Sequence, residues 1–356
     1  MKTTKLNCYI HFQNGLLSTY KELGNNINSM VNELIQNCSH IILPMAEFGN
    51  FMPDMKLIDV TELPSDHELI GAINGNRLPG IRYKDRWLTK NLLSISIEVP
   101  IPDFVDENVV KDITEIDKDF FNNISVEQIN LILIFEAFKK RVFDLIIAAN
   151  LSRFGSMHIF RSIIIQDNRE IEKFEEITCT TLYHVSKFIE EIGYPTLHKL
   201  DFLTVWNWII NRSDYLNGFS NGATGRALAC FSMLFSPEHP NELFMAIMGI
   251  EALYTKGTGN LQEQVREKSQ EFLGKQESFK KIYANMYNFR SRYIHGDLNF
   301  PTPFSLDKSN KTTRYNEELE QATFYAIALL GATLQELIIH NWSGLEFNYI
   351  VSDLDK

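Results

Sequence analysis

This 356-residue chain lacks the sequence features that mark membrane and secreted proteins. No apolar run reaches the roughly 18 residues that a membrane span requires. The first residues, MKTTKLNCYIH, are too polar for the core of a signal peptide. We therefore expect a soluble protein that stays in the cytoplasm.

Cysteine is scarce and scattered. The four cysteines (Cys8, Cys38, Cys179 and Cys230) lie far apart and form no Cys-x-x-Cys pair. This distribution predicts free thiols and argues against a zinc centre or a disulfide framework. We expect the protein to use neither a metal ion nor another cofactor.

Acidic residues outnumber basic ones, 45 to 34, which argues against a protein that coats nucleic acid through a broad basic surface. The formal net charge is −11. Residues 277–297 have the opposite sign, so the charge still leaves room for a local positive cleft. The charged residues of this segment are Lys280, Lys281, Arg290, Arg292, Glu277 and Asp297.

Two motifs that bind phosphate or a catalytic metal are also missing. The glycines of residues 218–225 lack the Gly-Lys-Ser/Thr of a phosphate loop, and they predict a loop that leads into a helix. No His-Glu-x-x-His sequence is present. The acids of residues 170–176 are typical of a solvated helix face and not of a two-carboxylate site.

The N-terminal half shows mixed periodicity and predicts an α+β domain. Residues 6–12, 40–48 and 92–99 are strand-like, and residues 25–37 have apolar positions at helical spacing. Between the strands, residues 77–87 interleave basic and aromatic side chains, including Arg82 and Arg86. That pattern is typical of a platform for single-stranded RNA, but it is also common on an exposed hairpin.

Clear start and stop signals follow. Ser125 and Gln128 form a capping box that predicts a helix to about residue 150. A strand over 157–165 and a helix over 171–192 come next. Gly193, Tyr194 and Pro195 then break the pattern, which predicts two domains, 1–195 and 196–356. The second domain is predicted to be all-α, with helices at 202–211, 224–235, 242–254, 261–273, 277–295 and 316–340.

One helix end combines cations with a histidine. Arg290 and His295 have the spacing Arg-x4-His, and Gly296 closes the helix. About one such match is expected by chance, and Arg153 with His158 supplies another. A structural interpretation is open, since cations are favoured at a helix C-terminus. Arg290 and His295 would also lie about 140° apart on an ideal helix, so a joint site requires distortion, long side chains or a second copy.

Two segments resemble a known family. Residues 287–296, YNFRSRYIHG, resemble the signature of HEPN domains, closest to the Apea-like branch. Residues 248–254, MGIEALY, resemble an upstream helix of the same branch. The resemblance covers roughly residues 200–342 and implies an all-α HEPN-type helical bundle; residues 1–195 resemble no family.

The resemblance also implies an activity. Many HEPN proteins are metal-independent RNA endonucleases of toxin–antitoxin, abortive-infection or antiphage systems, and they usually act as homodimers. It assigns the catalytic roles to Arg290 and His295. Supporting positions are Ser291, Arg292, Glu251 and Tyr287; Glu251 is expected to pair with Arg290 or Arg292 inside the bundle. Lys280 and Lys281, with Arg82 and Arg86, are candidates for RNA binding.

The residue types suit RNA cleavage without a metal. RNA carries its own nucleophile, the 2′-hydroxyl, so the enzyme must move protons and stabilise charge on the phosphorus. Histidine titrates near neutrality, and arginine remains charged and matches phosphate geometry. The expected products are a 2′,3′-cyclic phosphate and a 5′-hydroxyl.

Other functions stay open at this point. The chain could be a non-catalytic HEPN module that binds a nucleotide or a protein partner. An enzyme built on the N-terminal domain would be indicated by a deep polar pocket in residues 1–195. Within the HEPN interpretation, tRNA is the first substrate to test, and a phage-derived trigger or a neutralising partner is expected.

Overall fold

The computed structural model describes residues 2–13, 21–45, 54–63, 88–103, 124–157, 159–167, 169–174, 180–218, 220–235, 242–257, 259–275, 280–297 and 309–348. Across these ranges the chain forms six β-strands and nine α-helices. An antiparallel sheet dominates the N-terminal part, and helices alone make up the C-terminal part. The expected sequence of an α+β part and a helical part is therefore confirmed.

The sheet is built around its first strand. The strands are β1 (Thr3–Gln13), β2 (Ile42–Leu43), β3 (Met55–Leu63), β4 (Leu88–Pro100), β5 (Ile159–Gln166) and β6 (Arg169–Phe174). The strand order is β2-β3-β4-β1-β5-β6, and every described pair is antiparallel. Cys8 in β1 pairs with Ile95 in β4 and with Ile164 in β5, so the three side chains share one face.

One face of the sheet packs on helices because its apolar side chains recur at every second position. Leu6, Cys8 and Ile10 are fully buried. Helix α1 (Lys21–Asn37) contacts β3, and helix α2 (Val126–Ser152) contacts β1. The sheet therefore contributes directly to the hydrophobic core.

The prediction of one helix over residues 171–192 is wrong in its first part. Residues 169–174 form β6, and helix α3 begins only at Thr180 and ends at Ile192. Gln166 pairs with Arg169, and Asp167 between them has a φ of 46°. An Asp-Asn dipeptide accepts the positive φ of a tight hairpin turn, so the glutamates that follow belong to a strand.

Most of the later helices begin within three residues of the expected positions, but the last one begins at Asn310, six residues before the expected start at 316. The capping box is confirmed: Gln128 N–H donates to the Ser125 hydroxyl at 3.3 Å, and Ser125 N–H donates to the Gln128 side-chain oxygen at 2.9 Å. The helices after α3 are α4 (Phe202–Arg212), α5 (Ala223–Met233), α6 (Glu242–Tyr254), α7 (Leu261–Leu273), α8 (Lys280–Ile294) and α9 (Asn310–Ile339).

Helix α9 is the central helix of the C-terminal part, and it contacts α3, α5, α6 and α8. By length and composition alone α9 could cross a membrane, but 83% of its apolar window is buried inside the fold. It is therefore a core helix, consistent with a soluble protein. A Cβ on Gly249 of α6 would lie 2.9 Å from the Leu330 methyl groups, so this glycine allows α6 to approach α9 closely.

Buried apolar side chains are continuous across residues 193–195. Helix α2 contacts α4, and α3 contacts α9. One cluster of buried hydrophobic residues extends from the sheet through all of these helices. The division into domains 1–195 and 196–356 stays a prediction.

Candidate active site

The Arg-x4-His segment lies at the end of α8, and its backbone closes in the expected way. Gly296 has a φ of 71°. Its N–H donates to the Tyr293 carbonyl at 3.1 Å, and the Asp297 N–H donates to the Arg292 carbonyl at 3.0 Å. These two bonds define a Schellman cap with Gly296 at the left-handed position. The expected helix end at Gly296 is confirmed.

His295 is the last residue before the cap and is exposed to solvent. Its N–H donates to the carbonyl of Ser291, one turn earlier, at 3.0 Å. Ser291 is exposed as well. Within the described parts of the chain, the His295 ring makes no hydrogen bond or ion pair. The imidazole is thus open to a ligand.

Arg290 points in a different direction, toward α6. Its Nη2 lies 3.2 Å from Glu251 Oε2. The side chains of Arg290 and Glu251 are 30% and 13% exposed. The expected pairing of Glu251 with an arginine of α8 is present. A buried-facing Arg290 and a solvent-facing His295 agree with their calculated offset of about 140° on an ideal helix.

Burial sets the electrostatics of this pair. It raises the pKa of Glu251, while the Arg290 charge and the nearby Tyr287 hydroxyl act in the opposite direction. Burial, with the Glu251 charge, also raises the pKa of Tyr287. Tyr287 stands close enough to affect the carboxylate, but the Tyr287 hydroxyl and Glu251 Oε1 make no hydrogen bond of standard geometry with any described residue. Glu251 therefore holds Arg290 through one oxygen.

The other predicted cations do not join the Arg290–Glu251 pair. Arg292 Nη2 donates to the Asp297 carbonyl at 3.2 Å and so belongs to the helix cap. Lys280 and Lys281 are exposed in the first turn of α8, about 21 Å along the helix from its C-terminal end. The structure thus brings Arg290 together with Glu251 and Tyr287 but does not place the lysines beside them. Arg82 and Arg86 lie outside the described residues.

An exposed apolar surface lies beside the motif, and the sequence analysis did not predict it. Tyr293 packs on Phe244 of α6 with ring centroids 4.5 Å apart. Met248, Tyr293 and Ile294 are 54%, 44% and 57% exposed. We call Phe244, Met248, Tyr293 and Ile294 the α6–α8 patch. The sequence shows that Tyr293 and Ile294 are large apolar residues directly before His295, but it does not show that they are exposed. Clustered exposed apolar groups of this kind mark interaction surfaces.

Residues 218–222 have the spacing Gly-x-Ser-x-Gly, which is typical of a nucleophile elbow. A 3-10 turn, Tyr215–Asn217, precedes them in place of a strand. The Ser220 hydroxyl donates to the Asp214 carbonyl at 3.3 Å, and the Asp214 side chain accepts from Gly222 N–H at 3.3 Å. The segment is therefore a loop that closes on itself and leads into α5, as its glycines predict.

In the described part of the chain, no group of three His, Cys, Asp or Glu side chains is arranged to hold a metal ion. Comparison of the chain with protein-family models, curated proteins and solved structures finds no match. The resemblance to HEPN domains thus rests on residues 248–254 and 287–296, and the roles it assigns stay predictions.

Proposed function

We propose that the protein is a metal-independent RNA endonuclease of the HEPN type, acting in the cytoplasm as a toxin-like component of antiphage defence or abortive infection. One observation carries the proposal. The exposed imidazole of His295 lies at the capped end of a helix whose preceding turns supply a half-buried arginine, Arg290, oriented by a carboxylate. A general acid–base and a fixed cation are the two groups that this reaction requires.

The reaction divides between the two side chains. The 2′-hydroxyl oxygen attacks the adjacent phosphorus, and the bond from phosphorus to the 5′-oxygen breaks. Histidine removes the proton of the 2′-hydroxyl or delivers one to the leaving 5′-oxygen. Arg290 stabilises the charge on the phosphoryl oxygens, since a guanidinium matches their fork geometry. The products are a 2′,3′-cyclic phosphate and a 5′-hydroxyl.

A phosphate of the RNA must replace Glu251 at the Arg290 guanidinium before cleavage. Glu251 and a phosphate compete for the same guanidinium. The Glu251 carboxylate is desolvated, which raises its pKa and weakens its hold as an anion. Arg290 remains 30% exposed, so a phosphate that arrives from solvent can reach it. Glu251 therefore orients Arg290 until RNA binds.

A homodimer accounts for two features at once. Arg290 and His295 point in different directions within one chain, and the α6–α8 patch leaves large apolar side chains exposed beside them. A second copy packed on this patch would bury apolar surface and bring the arginine of one protomer toward the histidine of the other. RNA is the partner of the shared cleft, with tRNA as the first substrate to test. A phage-derived trigger or a neutralising partner would control it.

A non-catalytic HEPN module that binds a nucleotide or a protein partner is the second candidate. The observation in its favour is the ion pair itself, because Glu251 neutralises the cation that catalysis requires. On that account Arg290 is structural, and the exposed end of α8 only binds.

Mapping RNA ends in cells separates the two candidates. The wild type, His295→Ala and Arg290→Ala are each induced, with His340→Ala as the matched control, because His340 is also exposed just after the last residue of a helix. We expect new 5′-hydroxyl ends and growth arrest with the wild type and His340→Ala, and neither with the other two variants. A His295→Ala protein that cleaves RNA like the wild type would contradict the nuclease.

The same variants test the shared cleft. Mixing His295→Ala protomers with Arg290→Ala protomers should restore part of the cleavage, because a mixed dimer retains one intact arginine and one intact histidine across the interface. If the two residues act within one chain, the mixture stays inactive.

A further inference from the structure

A cavity of about 530 Å³ lies between α3 and the segment that connects α3 to α4, and its lining contains neither Arg290 nor His295. Buried apolar side chains, Phe154, Tyr183 and Ile189, contribute to its lining. Ser186 and Thr196, which carry hydroxyl groups, line it as well. Polar and apolar groups thus share the lining, and the volume is in the range of small-molecule sites.

Hydrogen bonds to α9 and to the end of α2 hold the connecting segment, which forms one wall of the cavity, in place. Gln335 of α9 is fully buried, and its side-chain oxygen accepts from His198 N–H at 2.7 Å. Its amide group donates to the carbonyls of Leu151 and His198 at 2.8 and 2.9 Å. Leu200 N–H donates to the Ser152 carbonyl at 2.8 Å. The cavity is therefore preformed, and a ligand would not have to order it.

Cations outnumber carboxylates in the lining, in a chain whose net charge is −11. Arg153 is already engaged by Glu33. Lys187 lies 2.9 Å from Glu190. Lys199 is exposed, and among the residues that the structure describes no carboxylate lies within ion-pair distance of its ammonium group. Lys199 thus offers an uncompensated positive charge to an anion at the mouth of the cavity.

We propose that this cavity binds a small phosphorylated ligand with the size and chemistry of a nucleoside monophosphate. The phosphate lies at Lys199, and Lys187 contributes a second cation to the lining. The apolar part of the ligand contacts Tyr183 and Ile189. Neither Arg290 nor His295 lines the cavity, so the binding is independent of the proposed nuclease.

A neighbouring depression indicates on which side of Lys199 the phosphate lies. It shares Arg153 and Lys199 with the cavity, but its lining also includes Glu33 and Asp201. An anion placed there would face two carboxylates, and like charges repel. The phosphate therefore belongs on the α3 side of Lys199.

Calorimetric titration of the full chain tests the site. The probes are the 5′-monophosphates of adenosine, guanosine, cytidine and uridine, each compared with its unphosphorylated nucleoside and with inorganic phosphate. We expect saturable binding of at least one monophosphate, tighter than its nucleoside and tighter than phosphate by about tenfold or more, since both parts of the ligand contribute. If no monophosphate binds saturably, the proposal is overturned.

Three variants locate the binding. Lys199→Glu should weaken the binding of the monophosphate by about tenfold or more, because it replaces the cation with a negative charge that repels the phosphate. Thr196→Trp should weaken it by filling the mouth without changing the charge. Lys5→Glu reverses an equally exposed lysine on the sheet and should bind as the wild type does. Equal affinity in all three variants would place the binding elsewhere and overturn the proposal.

Discussion

Glu251 determines how Arg290 is presented. The carboxylate is almost buried, it uses one oxygen on the guanidinium, and its second oxygen makes no hydrogen bond to a described residue. Removing such a carboxylate from water disfavours its charge, which is why burial outweighs Arg290 and raises the pKa of Glu251. The pair is therefore held weakly enough for a phosphate to replace the carboxylate.

The pH dependence of stability gives a test of this balance. Because the native-state pKa of Glu251 is raised, the native state holds the proton more tightly than the unfolded state. The contribution of Glu251 to stability is thus complete at low pH and declines as the pH rises through the raised pKa. Glu251→Gln lacks this titration. We expect the free energy of unfolding of the wild type, minus that of the variant, to fall as the pH rises above about 4.3, the ordinary pKa of a glutamate, and through the raised pKa of Glu251.

Urea unfolding at several pH values measures this difference. Glu318→Gln is the matched control, because it removes a carboxylate that is also paired with an arginine, 3.0 Å from Arg314, but is less buried than Glu251, with 31% of its side chain exposed against 13%. A difference for Glu251→Gln that grows with pH would mean that attraction to Arg290 outweighs burial, and the account of a weakly held arginine would be wrong.

The end of α8 was predictable because helix stop signals are local. Gly296 follows the last turn directly, and only its own φ of 71° is needed to close the helix. Helical spacing predicted that Arg290 and His295 point in different directions, and Glu251 was expected to pair with Arg290 or Arg292; only the structure identifies Arg290 as the partner. The α6–α8 patch was not predictable in the same way, because the side of α8 that is buried depends on helices distant in sequence.

The strand β6 shows the same limit. The sequence of this strand, REIEKF, does not alternate clearly between apolar and polar residues. The strand forms because a tight turn after Gln166 brings it alongside β5. Strand β3, which was not predicted, likewise depends on pairing with β4. Strands require partners from elsewhere in the chain, whereas the capping box at Ser125 carries its own signal.

Two glycines with the same φ provide a matched test of the helix end. Gly296 and Gly155 both have a φ of 71°, but a Cβ on Gly296 would meet no atom within 4 Å, whereas on Gly155 it would lie 2.6 Å from the Tyr183 backbone nitrogen. We expect Gly296→Ala to cost about 1–2 kcal/mol through the left-handed conformation alone. Gly155→Ala should cost clearly more, because α3 must also move.

Thermal and urea unfolding of the two alanine variants measure these costs. Gly296→Ala should keep the fold and lose RNA cleavage, because the turn that carries His295 is displaced. Equal stability losses in the two variants would contradict the close approach of α3 to Gly155. An unchanged cleavage rate in Gly296→Ala would show that the cap does not position His295.

The sheet, α2 and the helical part share one continuous core, and Gln335 joins them. Its side chain bonds to the Leu151 carbonyl at the end of α2 and to both backbone groups of His198. We expect Gln335→Leu to destabilise the protein by about 1–3 kcal/mol, because it keeps the volume but leaves buried backbone groups without bonds.

Gln321→Leu on the exposed side of α9 is the control and should change stability by less than about 0.5 kcal/mol. Both are measured by urea unfolding followed through tryptophan fluorescence and circular dichroism. If Gln335→Leu behaves like the control, the link between α2 and the helical part is unimportant, and the two predicted domains would be energetically separate.

The proposed nuclease is tested most directly by incubating RNA with the purified chain in the presence of a metal chelator and determining the chemistry of the new ends. We expect 2′,3′-cyclic phosphate and 5′-hydroxyl ends from the wild type and from His340→Ala. We expect no cleavage from His295→Ala, with the folded state unchanged. Cleavage by His295→Ala at the wild-type rate, or wild-type products that carry 5′-phosphates, would contradict metal-independent cleavage by His295.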